Sequence, residues 1–147
     1  MENQNLELLN AIYKNVTMAT HAIDNLQDKI DDHKLLKLMN KQNKIYETIT
    51  ADCEELASYY AEDLKAINPV AKISSSVSIN LKTMMNDETS HIAEMLIQGS
   101  TMGITEIIKG IGEFPHADKQ VKDVAIRLQH SEEEFVDSLK TFLVKKQ

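Results

Sequence analysis

The stretch LNAIYKNVTMATHAIDNLQDKI (residues 9–30) carries an unbroken apolar pattern. Its apolar residues are spaced alternately three and four apart; they are Leu9, Ile12, Val16, Ala19, Ile23, Leu26 and Ile30. Side chains at this spacing lie along one face of a helix, here of about 25 residues. The opposite face is polar. The segment therefore predicts a long helix that packs one side into a core.

A second long helix follows directly. Asp31 or Asp32 is suited to cap its start, and Asn68-Pro69 is expected to end it, because the residue before proline avoids the helical conformation. The predicted inward stripe consists of Leu35, Leu38, Gln42, Ile45, Ile49, Asp52 or Cys53, Leu56 and Tyr60.

The rest of the chain predicts a linker, a short helix and two more long helices. Residues 67–78 have the composition of a linker, and residues 77–85 suggest the short helix. Ser90 is suited to cap a third helix that runs to about residue 111, and Pro115 stands near the expected start of the last one. The last stripe contains Val121, Val124, Ala125, Leu128, Phe135, Leu139 and Phe142.

Four long helices joined by short connections favour a single all-α domain over residues 1–147, an up-down-up-down four-helix bundle. The longer second connection, with its extra short helix, lies where a bundle can insert a crossover or a lid. The sequence shows no internal repeat that would indicate a solenoid.

The third helix is unusual because it contains three glycines and is apolar over most of its circumference. A glycine costs a helix interior about 0.5–1 kcal/mol relative to alanine. Gly99 and Gly103 are four residues apart, so we expect them to let another backbone approach closely. That neighbour is either the short helix or a second subunit. Together with Ile104 and Ile108, the two glycines form the predicted interface of a homodimer.

Composition excludes several classes of partner. The 147 residues include 16 basic and 23 acidic side chains, a net charge of −7. Nucleic acids and anionic membranes require clustered Lys and Arg, so neither is expected as a partner. Cys53 is the single cysteine, which leaves no internal disulfide or cysteine-based zinc site. The N-terminal residues do not have the pattern of a secretory signal peptide, and we expect a cytoplasmic protein.

Nearly the whole chain resembles the ferritin-like bundles, and in particular an uncharacterised bacterial ferritin-like family. The resemblance rests on three stretches: LLNAIYKN (8–15), DDHKLLKLMNKQNKIYETITADCEEL (31–56) and SHIAEMLIQGSTMG (90–103). It implies a di-iron carboxylate site, which takes an inward Glu from two helices and an inward Glu-x-x-His from the other two.

This chain departs from that plan. The first apolar stripe contains no carboxylate, and Gln42 stands where a Glu is expected. Glu132 falls on the core side of the last helix and is the best candidate for a partly buried carboxylate. A residual site for iron, manganese or zinc would have to draw on Glu88, His91, His130 and Glu132. The alternative for Glu88 and His91 is that they cap the start of the third helix. The alternative for Glu132 is a satisfied carboxylate at the bundle midpoint or the dimer seam.

The sequence therefore favours a non-catalytic ferritin-like bundle, without a resident cofactor, that acts through homodimerisation and protein contacts. Residual metal binding is one alternative. The other is the binding of a small apolar ligand beneath a methionine-rich surface formed by Met84, Met85, Met95 and Met102, for which core packing is the competing explanation. Cys53 is expected to be a small buried apolar residue rather than a nucleophile.

Overall fold

A computed structural model describes residues 3–60 and 89–143 of the chain. Within these ranges the backbone forms four long helices. They are α1 (Gln4–Leu26), α2 (His33–Tyr59), α3 (Thr89–Glu113) and α4 (Lys119–Lys140). The expected short helix at 77–85 and the expected end of the second helix at Asn68-Pro69 lie outside the described residues.

Helix α1 is shorter than its apolar stripe predicts. Asn3 caps its start by accepting a hydrogen bond from the Leu6 N–H at 3.2 Å. At the other end Leu26 is followed by one turn of 3₁₀ helix, Gln27–Lys29. Ile30 is extended, with ψ of 121°, yet still packs against the core. The apolar spacing thus predicted which side chains contact the core, but it placed the end of the helix too late in the chain.

Helix α2 begins as predicted and presents a slightly different face. The Asp32 side chain caps it by accepting hydrogen bonds from the N–H groups of Lys34 and Leu35. The buried residues are Leu35, Met39, Gln42, Tyr46, Ile49, Cys53 and Ala57. Leu38, Ile45 and Leu56 of the predicted stripe are only half-buried. The predicted stripe therefore selected aliphatic residues that lie at the margin of the buried face, in place of their buried neighbours.

Helix α4 begins four residues later than Pro115. Asp118 is its N-cap residue in extended conformation, and Pro115 lies in the preceding turn. This turn is fastened to the start of α1, because the backbone N–H groups of His116 and Asp118 donate to the side chains of Gln4 and Asn5 at 2.7 and 2.6 Å. Buried Ala117 anchors the turn on the core.

The helix directions correct the predicted topology. Asp24 of α1 bonds to Asn43 of α2 and Gln27 bonds to Asn40, so these helices are antiparallel. A Cβ at Gly110 of α3 would lie 3.6 Å from both Ala11 and Leu8, whereas Gly103 contacts Asn15. Since residue numbers fall along α1 as they rise along α3, these two helices are also antiparallel.

Helices α2 and α4 are antiparallel as well. Tyr60, the residue that follows α2, donates to Asp118 at 2.7 Å. Asp52, eight residues earlier, pairs with Arg127, nine residues after Asp118. The order is therefore up-down-down-up, and the prediction of up-down-up-down was wrong. The last residues of α2 and the first residues of α3 lie at opposite ends of the bundle. Bundles in which consecutive helices run in the same direction join them by a long crossover connection.

Candidate functional site

A polar layer crosses the middle of the otherwise apolar core. It is formed by Asn15 of α1, Gln42 and Tyr46 of α2, Gly103 of α3 and Glu132 of α4, so every helix contributes. Apolar side chains such as Ile12, Ile107 and Leu128 surround it in the core. Buried polar groups are costly unless they find partners, which makes this layer the first place to look for a function.

Glu132 is the central group of the layer. The residue is 1% exposed. Its Oε2 accepts a long hydrogen bond of 3.5 Å from the Tyr46 hydroxyl, while Oε1 has no hydrogen-bond partner. Burial in an apolar environment raises the pKa of Glu132 to about 8, and the bond from Tyr46 lowers it only in part. The group therefore carries a proton near neutral pH.

Gly103 makes the room that this carboxyl group occupies. A Cβ built on Gly103 would lie 2.8 Å from Oε2 and 3.1 Å from Oε1 of Glu132, and 3.1 Å from Oδ1 of Asn15. The Asn15 side chain also binds the same residue, because its Nδ2 donates to the Gly103 carbonyl at 2.8 Å. Any side chain larger than hydrogen at position 103 would displace the acid.

Tyr46 and Gln42 close the layer on the α2 side. Tyr46 is fully buried, and burial together with the negative charge of ionised Glu132 raises the pKa of its phenol well above the usual value. It therefore acts as a neutral hydroxyl donor. The Gln42 Nε2 group donates to the Ser131 carbonyl at 3.4 Å, one residue before Glu132. Two α2 side chains thus contact the same turn of α4.

The structure describes three of the four residues of the predicted metal alternative and does not bring those three together. Glu132 is buried as expected, whereas His130 is exposed. His91 lies at the start of α3, twelve residues or about 18 Å along the helix from Gly103. Glu88 lies outside the described residues. Within residues 3–60 and 89–143, no three His, Cys, Asp or Glu side chains converge on a point where they could hold a metal ion.

The polar layer does not fit a di-iron centre either. A di-iron bundle needs four carboxylates and two histidines that project inward at one level. Here the inward groups are the amides of Asn15 and Gln42, the hydrogen of Gly103 and the single carboxyl of Glu132. The positions three residues after Gln42 and Glu132, where histidines would be required, are Ile45 and Phe135. These groups supply too little charge for two metal ions.

The predicted interface residues do not form one surface. Gly103 faces the polar layer of its own chain, and no atom of the described residues lies within 4 Å of a Cβ built at Gly99. Ile104 is half-buried and Ile108 is 48% exposed. We expected another backbone, from the short helix or a second subunit, to approach Gly103; among the described residues, the group that fills this space is instead the Glu132 carboxyl.

Among the other candidates, Cys53 is consistent with core packing, whereas Met102 is not. Cys53 is buried and free, and burial raises the pKa of its thiol to about 12, so it is a poor nucleophile at neutral pH. Met95 is half-buried and Met102 exposed. Met84 and Met85, the other half of the predicted methionine-rich surface, lie outside the described residues.

Sequence reasoning missed Asn15 and Tyr46. Asn15 completes an inward series with Leu8 and Ile12 at steps of four and three, but the adjacent Val16 continues the apolar stripe. Tyr46 follows Gln42 by four residues and precedes Ile49 by three, and Ile45 beside it looks the better apolar candidate. The detectable signal in each case was a polar residue whose spacing matched that of known core neighbours.

No protein-family model, no curated protein and no solved structure matches this chain. None of α1 to α4 is both long and apolar enough to cross a membrane.

Neutralising Glu132 should stabilise the protein at alkaline pH. Because the pKa of this group is raised from 4.5 to about 8 in the folded state, its contribution to stability is complete below pH 4.5 and is lost as the pH rises to 8. The loss is at most about 1.4 kcal/mol per pH unit. We expect Glu132→Gln to remove this decline, as measured by urea unfolding at pH 5, 7 and 9.

The matched control is Glu133→Gln, which removes an exposed carboxylate next in the chain. It should retain the pH dependence of the wild type. Parallel stability curves for wild type and Glu132→Gln would contradict the raised pKa.

Alanine at the two neighbouring glycines should have opposite effects. Gly99→Ala meets no described atom within 4 Å and should stabilise the protein by about 0.5–1 kcal/mol. Gly103→Ala gains the same helix propensity but places its Cβ against a carboxyl group that Tyr46 and Asn15 enclose, so it should destabilise. Urea unfolding of both variants measures the difference.

The cause of the destabilisation expected for Gly103→Ala can be tested separately. A Glu132→Ala background removes both contacts with the carboxyl group and leaves only the 3.1 Å contact with Oδ1 of Asn15, so the penalty of Gly103→Ala should become smaller there. An unchanged penalty in that background would show that something other than the acid excludes the methyl group.

Proposed function

We propose that this chain is a non-catalytic, ferritin-like helical bundle that forms a homodimer and acts through protein contacts. The ferritin-like assignment is supported by the helix order, since ferritin-like bundles have one long crossover connection and α2 and α3 here run in the same direction. The proposal also places the protein in the bacterial cytoplasm, in keeping with its acidic composition and single cysteine.

The observation that carries the proposal is an apolar flank on α3. It consists of Ile97, Ile104, Ile108 and Ile111, which are spaced seven, four and three residues apart and therefore share one side of the helix. Three of them are half-buried and Ile108 is 48% exposed. The fully buried face of α3 includes Ile92, Leu96 and Ile107. Ile97 and Ile111 also pack against the core at the edge of the flank, and Ile108 is its most exposed member.

A second copy of the chain is the occupant that best fits this flank. Two-fold dimers are the commonest oligomers, and they pair the same patch on each subunit. A chain with a net charge of −7 repels its own copies, so association requires an apolar contact that is free of charge. The isoleucine flank offers uncharged side chains at all four positions.

The test is the mass in solution by light scattering across micromolar concentrations. We expect a dimer, and we expect Ile108→Lys to weaken it by at least about tenfold, or about 1.4 kcal/mol, because the ammonium group would have to leave water. The control is Ile126→Lys, which changes a 39% exposed isoleucine on α4 and should leave the dimer intact.

Three outcomes are distinct. A wild-type monomer at all concentrations would refute the homodimer. A dimer that survives Ile108→Lys would place the contact elsewhere on the surface. Equal weakening by both lysine variants would show that a general effect of added charge or lost stability, rather than the flank, is responsible.

A further inference from the structure

We propose that the polar layer is a proton site that stands where a ferritin-like bundle would hold its metals, with Oε1 of Glu132 donating a hydrogen bond to Oδ1 of Asn15. The inference goes beyond dimerisation and does not depend on it. It rests on the geometry around Gly103 and on the absence of cationic groups at this level of the described helices.

The first step is the orientation of Asn15. Its Nδ2 donates to the Gly103 carbonyl at 2.8 Å, which fixes the amide plane and with it the position of Oδ1. Oδ1 and both oxygens of Glu132 lie within 3.1 Å of the single point that a Cβ on Gly103 would occupy. Asn15 thus presents an acceptor to the same small space as the carboxyl group.

The second step concerns what must lie between two acceptors. An amide oxygen and an ionised carboxylate have only lone pairs to offer each other. Oε1 of Glu132 is buried and has no hydrogen-bond partner, whereas Oε2 accepts from Tyr46. A proton on Oε1 turns an unsatisfied acceptor into a donor, for which Oδ1 of Asn15 is the neighbouring acceptor.

The third step is the charge of the surroundings. Facing Glu132 are Asn15 from α1, Gln42 and Tyr46 from α2, and Gly103 from α3; on α4 itself Ser131 and Phe135 flank it. Tyr46 is the only other titratable group among them, and its ionised form would be negative. No lysine, arginine or histidine at this level of the described helices compensates a carboxylate, so the neutral acid is the stable form.

The same groups explain why a proton replaces a metal. A divalent ion needs several anionic or strongly basic ligands, and here amides and a glycine stand where the di-iron plan requires carboxylates. A single carboxylate carries one negative charge, and one bound proton is enough to neutralise it. Loss of that proton would leave a negative charge enclosed by α1, α2 and α3, so proton binding is coupled to how tightly these helices pack.

The experiment follows the side-chain carboxyl carbon of Glu132 by carbon-detected NMR in the full-length protein between about pH 5 and 10, assigned by its disappearance in Glu132→Gln. We expect the neutral acid at pH 7 and a midpoint near 8. The side-chain amide signals of Asn15 should shift with the same midpoint. A carboxylate already ionised at pH 6, or Asn15 signals that do not respond to it, would overturn the proposal.

Substitution of Asn15 tests its role as acceptor. Asn15→Leu removes the acceptor and should lower the midpoint of Glu132, whereas Asn15→Asp adds a like charge and should raise it. Lys14→Leu is the control, since it changes the exposed neighbour in the chain and should leave the midpoint in place. The NMR titration of Glu132 in the wild-type protein tests the proposal by itself, so the test remains even if an Asn15 variant fails to fold.

Metal addition provides the opposing outcome. Thermal unfolding of wild type and Glu132→Gln is compared with and without Fe²⁺, Mn²⁺ or Zn²⁺. We expect any change in melting temperature to be equal in the two proteins. A stabilisation of wild type that Glu132→Gln abolishes would show that the layer holds a metal after all.

Discussion

The burial of one carboxyl group opposite a glycine is the constraint on which the bundle depends. Glu132 lies at the centre of the core, and each of the other helices supplies a residue that its position requires. Gly103 gives it space at the expense of helix propensity, and Tyr46 and Asn15 provide polar neighbours. A shift of any helix by one turn would leave the acid without them, so the layer fixes the helices in register.

This role is of the kind that buried polar groups play in other helical assemblies, where they favour one arrangement over others at some cost in stability. An apolar core of similar volume tolerates sliding, because one aliphatic contact replaces another. The contacts of Glu132 are not interchangeable in this way. Gln42 and its bond to the Ser131 carbonyl extend the same constraint to the adjoining residue of α4.

Much of the architecture followed from apolar spacing. The four helices, the cap at Asp32 and the inward position of Glu132 were all predictable because they depend on local sequence. The helix directions were not. Nothing in the sequence states how far the connection between α2 and α3 must reach. The up-down-down-up order is established by the pairs of contacts that join α1 to α2, α1 to α3 and α2 to α4.

The polar layer was harder to predict for a different reason. Asn15 and Tyr46 stand beside Val16 and Ile45, and a search for apolar stripes selects the aliphatic neighbour in both cases. Gly103 looked like a site of contact with another backbone, since a small residue in a helix indicates close approach without naming what approaches. Its partner is a side chain 29 positions away in sequence, which only tertiary structure could reveal.

Helix α3 links the two proposals in physical terms. Its inner side touches the Glu132 carboxyl at Gly103, and its outer flank carries the isoleucines proposed to meet a second subunit. Both events therefore act on one helix, at positions roughly a third of a turn apart around its axis. If dimerisation holds α3 more firmly against the core, it changes the free energy of ionising Glu132, and linkage requires that ionisation change dimer affinity by the same factor. A helix weakened by four glycines is suited to transmit that coupling, because its packing rather than its intrinsic propensity keeps it in place.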